Sequence, residues 1–287
     1  FINFKNVIST SRVKVPFGIA QIGKAFRNEI TPKQFLFRIR EFEQMELEFF
    51  CKEQDALRYF EEWVKRRTDF YYKLGINPEK LRIRKHRDDE LAHYSKSCID
   101  IEYKFPFKQQ ELWKEIEGIA YRGNYDLTQH SDQSGKDLSV FDSQINSSYI
   151  PHVVECSVGV ERLLLTLIFD AYCEDIIEGE PRTVLRFSPK VAPTTAAVLP
   201  LVKKLTEQSE KIYKHLKKEG FRVIFDESGS IGKRYRRQDE IGTPVCFTFD
   251  FDSLEDEKVT ARNRDTLEQE RIAIDQLDKY LEVLLKK

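Results

Sequence analysis

Apolar and polar positions change rhythm along the chain, and each rhythm predicts its own kind of element. Residues 1–50 read as short strand-like stretches broken by Gly18, Gly23 and Pro32. Over 55–74 the apolar positions Leu57, Phe60, Val64, Tyr71 and Leu74 recur close to helical spacing and Gly75 supplies a stop, which predicts a helix. Residues 77–91 turn polar and heavily charged, with Arg82, Arg84, Lys85, Arg87, Asp88, Asp89 and Glu90, the pattern of a solvated surface insertion. Strand character returns over 99–105 and 115–122. A polar loop is predicted over 129–137, another strand over 151–158, and a buried helix from Gly159 to about Cys173.

The stretch Glu178-Gly-Glu-Pro-Arg182 has the composition of a linker, which puts a domain boundary there, with one domain over 1–181 and a second over 183–287. Beyond it the pattern alternates: strand 184–187, helix 195–219, strand 222–225, helix 230–239, strands 245–249 and 259–262, and a terminal helix from about Thr266. Such alternation implies a compact α/β domain.

Composition narrows the class. At 40% hydrophobic and 12% aromatic content the chain is too apolar to be disordered, and its 287 residues suit about two domains. With 47 Lys and Arg against 48 Asp and Glu the net charge is -1, so a nucleic-acid partner must be held by local basic patches. The five Cys form no C-x-x-C pair and fit reduced thiols of a cytosolic protein; the five His lack metal-ligand spacing in sequence. The longest apolar run, near 163–169, falls short of the ~18 residues a membrane span needs, so a soluble cytoplasmic chain with no membrane partner is expected. It begins at Phe1 without an initiator Met, which reads as an N-terminal truncation.

Candidate chemistry concentrates in residues 26–48. Read as two strands around a Thr31-Pro32 turn, period-two alternation puts Arg27 and Glu29 on one face of the first. Arg38, Arg40, Phe42, Gln44, Glu46 and Glu48 share a face of the second, opposite Phe37, Ile39, Met45, Leu47 and Phe49. Guanidinium groups suit phosphate or carboxylate oxygens, an aromatic ring stacks on a base, and carboxylates take amine donors. A salt-bridged, solvated hairpin would have the same composition. Downstream, Glu155 and Ser157 share a strand face, with Val154, Cys156 and Val158 turned to the core. Gly229-Ser-Ile-Gly-Lys233 lacks phosphate-loop spacing, and Cys156, His93 and His152 read as structural.

The order of these residues resembles a known family. Arg27, Glu29, Arg38, Phe42 and Glu46 satisfy Arg-x-Glu, a loop, then Arg-x-x-x-Phe-x-x-x-Glu, which is similar to motif 2 of class II aminoacyl-tRNA synthetases. Residues 155–165, with Gly159 and Arg162, resemble motif 3. Residues 18–30, 40–46, 92–94, 100–103, 117–122 and 125–127 resemble the homodimeric glycyl-tRNA synthetase family, and 232–237 and 239–244 resemble its anticodon-binding domain. The resemblance implies an α+β catalytic domain with a central antiparallel sheet flanked by helices, then a C-terminal α/β anticodon-binding domain. Motif 1 has no counterpart, and neither has a further glutamate expected upstream of Phe1. A weakly active or inactive fragment follows from that.

By the same resemblance, the activity is ATP-dependent activation of glycine and its transfer to tRNA(Gly), with Mg2+ as cofactor and a homodimer as the full-length state. Arg27 and Arg162 would be catalytic. ATP would be held by Arg27, Asn28, Glu29, Phe37, Arg38, Arg40, Phe42, Glu115, Ile116, Gly159 and Arg162. Glycine would meet Glu46, Arg122, Glu155, Ser157 and Gly159; Glu115 and Glu155 are the possible Mg2+ ligands. The tRNA would contact Lys233, Arg234, Arg236 and Arg237. Two alternatives stand beside this reading: a non-catalytic synthetase-like accessory subunit that binds nucleic acid, and a related synthetase for Thr, Pro or His. The presence of Arg27, Arg38 and Arg162 weighs against the first.

Overall fold

The computed structural model describes residues 1–107, 112–144, 146–177 and 179–286. They form two compact units, Phe1–Thr166 and Leu167–Lys287. The first contains α1 (Phe4–Ser11), β1 (Phe17–Phe26), β2 (Glu41–Cys51), α2 (Glu53–Lys73), β3 (Leu81–Lys85), β4 (Ser97–Lys104) and β5 (Trp113–Gly123). It continues with α3 (Tyr125–Ser134), β6 (Val140–Asp142), β7 (Ser147–Tyr149) and β8 (His152–Gly159); α4 (Val160–Ala171) runs across the division. Six strands make one antiparallel sheet in the order β1-β2-β8-β5-β4-β3.

Strand register sorts this sheet into a buried face and a polar one. Helix α2 packs against β5 and β8 and buries Ala56, Phe60 and Tyr71. On that side Glu117 of β5 is only 1% exposed, and it accepts hydrogen bonds from Arg67 Nε (2.6 Å) and Tyr71 Oη (2.7 Å). A buried carboxylate is tolerable where it is paired in this way. Across the other face, antiparallel pairing lines up Glu46, Ser157, Gly118, Asp100 and Arg84 in one row, and Glu48, Glu155, Ala120 and Cys98 in the next. Gly118 and Ala120 leave a low floor between taller walls.

Several elements differ from the expectation. Residues 4–11, read as strand-like, form α1, whose Phe4 is fully buried with Phe50, Leu127 and Val153. The polar loop predicted at 129–137 is largely α3. The charged segment 77–91 supplies the edge strand β3: its arginines pair with acidic neighbours, Arg82 with Glu102 and Arg84 with Glu90 at 2.6 Å, so charge marked one face of a strand.

The second unit opens with the hairpin β9 (Tyr172–Ile177) and β10 (Glu180–Leu185). The supposed linker is therefore mostly strand, with Glu178 outside the described residues. Arg182, 2% exposed, donates to Asp175 and Asp239, and the packing division falls before this hairpin. Next come β11 (Ala196–Pro200), α5 (Thr206–Lys218), β12 (Val223–Phe225), α6 (Ile231–Ile241), β13 (Val245–Phe249) and α7 (Ser253–Asp256). The chain ends with β14 (Lys258–Asn263), β15 (Gln269–Ala273) and α8 (Leu277–Lys286). The sheet order is β12-β11-β13-β14-β15, parallel among the first three strands and antiparallel beyond. Strand β11 lies within the predicted helix 195–219, and β15 within the predicted terminal helix. Among the described residues no helix is long and apolar enough to cross a membrane.

Candidate active site

Motif-like residues reach the site from a loop and two strand ends. Strand β1 stops at Phe26 and β2 starts at Glu41, so Arg27, Asn28, Glu29, Arg38 and Arg40 lie on the connection and not on the two strands expected. That connection is tied down by its own backbone: Arg27 N–H donates to Arg40 O (2.9 Å), Arg40 Nε to Glu29 O (2.9 Å), and Lys33 pairs with Arg38. Arg40 thus holds the loop shut. A short turn, Phe35–Phe37, buries Phe37 against Phe105 and Phe107.

A cavity opens beneath this loop. Its walls include Arg27, Glu29, Phe37, Arg38, Phe42, Glu115, Ile116, Ser157, Gly159 and Arg162, all expected from sequence, Gln44 from the expected ligand face, and Leu36, Ile39 and Glu161, which were not expected. The register predicts Gln44, because it is directly opposite Gly159. Glu161 is fixed by accepting from Glu43 N–H at 2.9 and 3.0 Å. Exposed Asn28 and loop-closing Arg40 do not line the cavity, and neither do Glu46, Arg122 and Glu155.

The cavity is cationic where the guanidinium groups converge. Burial, and then the repulsion of Arg27 and Arg38, weaken the hold of Arg162 on its proton; Glu115 acts the other way. Arg162 lies over Phe37 (4.4 Å to the ring centre) and donates to Glu115 O at 2.8 Å. The Arg27 guanidinium is 5.4 Å from the Phe42 ring centre. Three cations that raise one another's energy are a site for a polyanion, and Phe42 offers a flat face beside them.

A polar cluster continues from Ser157 along the same sheet face. Gln44 Nε2 donates to Ser157 Oγ (2.5 Å), which is 3.4 Å from Glu46 Oε1. One row on, Arg122 donates to Glu155 Oε2 (2.7 Å) and twice to Asp126 (2.8 Å each), with its guanidinium 4.1 Å from the Tyr94 ring centre. Burial raises the Glu155 pKa, and Arg122 opposes that. Glu48 is pushed up to about 8, chiefly by burial and then by Glu155. Asp126, Tyr94 and Glu48 were not among the expected site residues, although Glu48 belonged to the ligand face and Tyr94 and Asp126 lie in the family-like stretches 92–94 and 125–127.

Other expectations divide. Glu115 is in the cavity, whereas Glu155, read as a second possible Mg2+ ligand, has a guanidinium at 2.7 Å, an environment that disfavours a metal cation. His86, Cys98 and Asp100, whose sequence spacing gave no metal signal, bring their ligating atoms within 4.8 Å of one another, with His86 Nε2 2.7 Å from Asp100 Oδ2. In the second unit Lys233 is exposed. Arg234 is 4% exposed and donates to the carbonyls of Pro200, Leu201 (3.3 Å) and Gly229 (3.2 Å), so the expected nucleic-acid contact is an internal brace. Arg237 is paired with Asp226 at 2.7 Å, and Arg236 donates to Pro181 O at 2.7 Å.

Comparison with known proteins now bears on this geometry. The family model described as tRNA synthetase class II core domain (G, H, P, S and T) matches residues 3–171. The chain belongs to the class II aminoacyl-tRNA synthetases. Later in the sequence than this synthetase core, residues 195–284 match the anticodon binding domain. The chain is 57% identical over 286 residues to a glycine–tRNA ligase of Caldanaerobacter subterraneus, and 55% over 287 to that of Clostridium acetobutylicum. All of the chain is covered in both matches, and it spans about 61% of the length of each relative. Among solved structures, prolyl-tRNA synthetase from Cryptosporidium parvum, complexed with L-proline and AMP, matches with a TM-score of 0.70 at 20% identity. That match covers 95% of this chain and 57% of the other, and it shows that the class II fold is shared.

Proposed function

We propose that the chain is the greater part of a glycine–tRNA ligase, which activates glycine with ATP and passes it to tRNA(Gly). The observation that carries this is the meeting of Arg27, Arg38 and Arg162 with Phe42 in one cavity that runs into Ser157, beside the Glu46, Glu48 and Glu155 carboxylates. Relatives of that name at 55–57% identity support it.

Adenine stacks on Phe42 with Glu29 accepting from its amino group; Arg27 meets the α-phosphate, and Arg38 and Arg162 the phosphates beyond. Glu115 would hold Mg2+, which would supply further positive charge there when bound. The glycine ammonium group pairs with Glu46 and Glu155, and Ser157 narrows the space at its α-carbon. The ionised glycine carboxylate attacks the α-phosphorus: one phosphorus–oxygen bond forms, the bond to pyrophosphate breaks, and no proton moves. Positioning and neutralisation of phosphate charge then carry the rate. In the second step a terminal ribose hydroxyl of tRNA takes the glycyl group and AMP leaves. An alanine methyl would overpack the pocket at a cost of about 1–3 kcal/mol. Lys233, Arg236 and Arg237 are the tRNA-facing side chains of the second unit, and a cytoplasmic homodimer is the working state.

ATP–pyrophosphate exchange by the full-length protein tests this. The expected result is exchange with glycine and none with threonine, proline or histidine. Response to another amino acid would make the protein a sister enzyme, and no exchange with any would make it a nucleic-acid-binding accessory subunit.

A further inference from the structure

Glu48 and Glu155 occupy directly opposite positions on antiparallel strands β2 and β8, with both side chains on the ligand face. Side chains so placed have Cβ atoms only about 4.5–5.5 Å apart, and two like charges there are destabilising. A nearby cation could relieve the conflict, but the distribution of donors does not favour Glu48. Arg122 directs one nitrogen to Glu155 and two to Asp126. Ile19, opposite Glu48 on β1, has no polar side-chain atom, and Glu46, two residues along β2, adds a third carboxylate. One Glu48 oxygen, Oε2, is buried and has no hydrogen-bond partner among the described residues. A buried lone acceptor is costly, whereas a proton on Glu48 turns that carboxyl group into a donor for the Glu155 carboxylate opposite.

We infer that Glu48 holds a proton and donates it in a hydrogen bond to Glu155, so that Glu48 is the positioning residue that keeps Glu155 an oriented carboxylate for the substrate ammonium group. This rests on the proposed pairing of glycine with Glu155. Arg122 takes Glu155 Oε2 from the β5 side. A proton shared from the β2 side fixes the carboxylate plane from the opposite direction, and the pair keeps one negative charge in place of two that repel. Burial raises the pKa of both carboxyl groups and so favours one proton on the pair.

Infrared spectroscopy of the full-length protein at neutral pH, with glycine-dependent exchange on the same samples, tests this. The expected result is a protonated-carboxyl stretch in the wild type that is missing from Glu48→Gln. Glutamine can still donate to Glu155, so Glu48→Gln should keep the glycine KM within about threefold, whereas Glu48→Met should raise it tenfold or more with little change in kcat. No such band in the wild type, its survival in Glu48→Gln, or equal damage from Gln and Met would each overturn the inference. The infrared comparison stands even where the Met variant does not fold. A wild-type protein with the band but no glycine-dependent exchange would remove the functional reading and leave the shared proton in place.

Discussion

Arg27, Arg38 and Arg162 gain nothing from one another, and the fold holds them together through backbone ties and ring contacts: Arg162 by Glu115 and Phe37, Arg27 by the loop that Arg40 closes. Such an arrangement stores its value for a bound polyanion. Arg27 is exposed and its guanidinium rests on the Phe42 ring, so Arg27→Ala should lower exchange by about 100- to 1000-fold, the usual effect of removing one group that stabilises transition-state charge. Its melting temperature should stay close to that of the wild type. Exchange within tenfold of wild type would end the α-phosphate assignment. The same residues show what a one-dimensional reading misses. Asn28 and Arg40 stand in the motif beside Arg27 and Glu29, yet one is solvated and the other serves the loop, because side-chain direction on a connection does not follow strand alternation.

At the scale of elements, legibility followed periodicity. Helix α2 was readable because 21 residues give the 3.6-residue repeat many turns in which to appear, and β8 because Glu155 and Ser157 alternate with buried neighbours. Strand β11, Ala196–Pro200, is buried at every position between two parallel neighbours, so it has no alternation and merged with the helix that follows. Helices α1 and α3, of 8 and 10 residues, are short, and tertiary burial of Phe4 and Leu127 anchors them. The end of α6 is set more strictly. Gly242 has φ +83°, and an added Cβ would lie 2.6 Å from Phe187 Cδ2 and 2.8 Å from Leu185 O. Left-handed strain and overpacking together predict that Gly242→Ala destabilises the second unit by about 2–4 kcal/mol, measured by denaturant unfolding. A loss under about 1 kcal/mol would mean that the β10 end simply moves away.

Over the whole of this chain, a net charge of -1 gives no field to attract the proposed tRNA partner, so that binding would depend on which cations remain free once internal pairs are made. Lys233→Ala should weaken tRNA binding and flatten its salt dependence while leaving stability unchanged. Arg234→Ala should instead destabilise by about 1–3 kcal/mol, since it strands the buried Pro200 carbonyl and loosens the Leu201 and Gly229 ties, and its effect on binding should follow unfolding. The reverse pattern, read by filter binding at several salt concentrations and by thermal melts, would mean that Arg234 turns outward in the bound state. Sequence alone determined the kinds of groups available and their order: arginines and an aromatic around one loop, a carboxylate and a hydroxyl two apart on one strand, a glycine before a helix. These are local relations, fixed by the geometry of consecutive residues. Tertiary structure decided which of those groups share a cavity, that Arg234 and Arg182 are braces, that the charged stretch 81–85 is a strand, and that Glu48 faces Glu155. Each of those outcomes depends on strand register and burial between residues far apart in the chain, and no spacing along it records them.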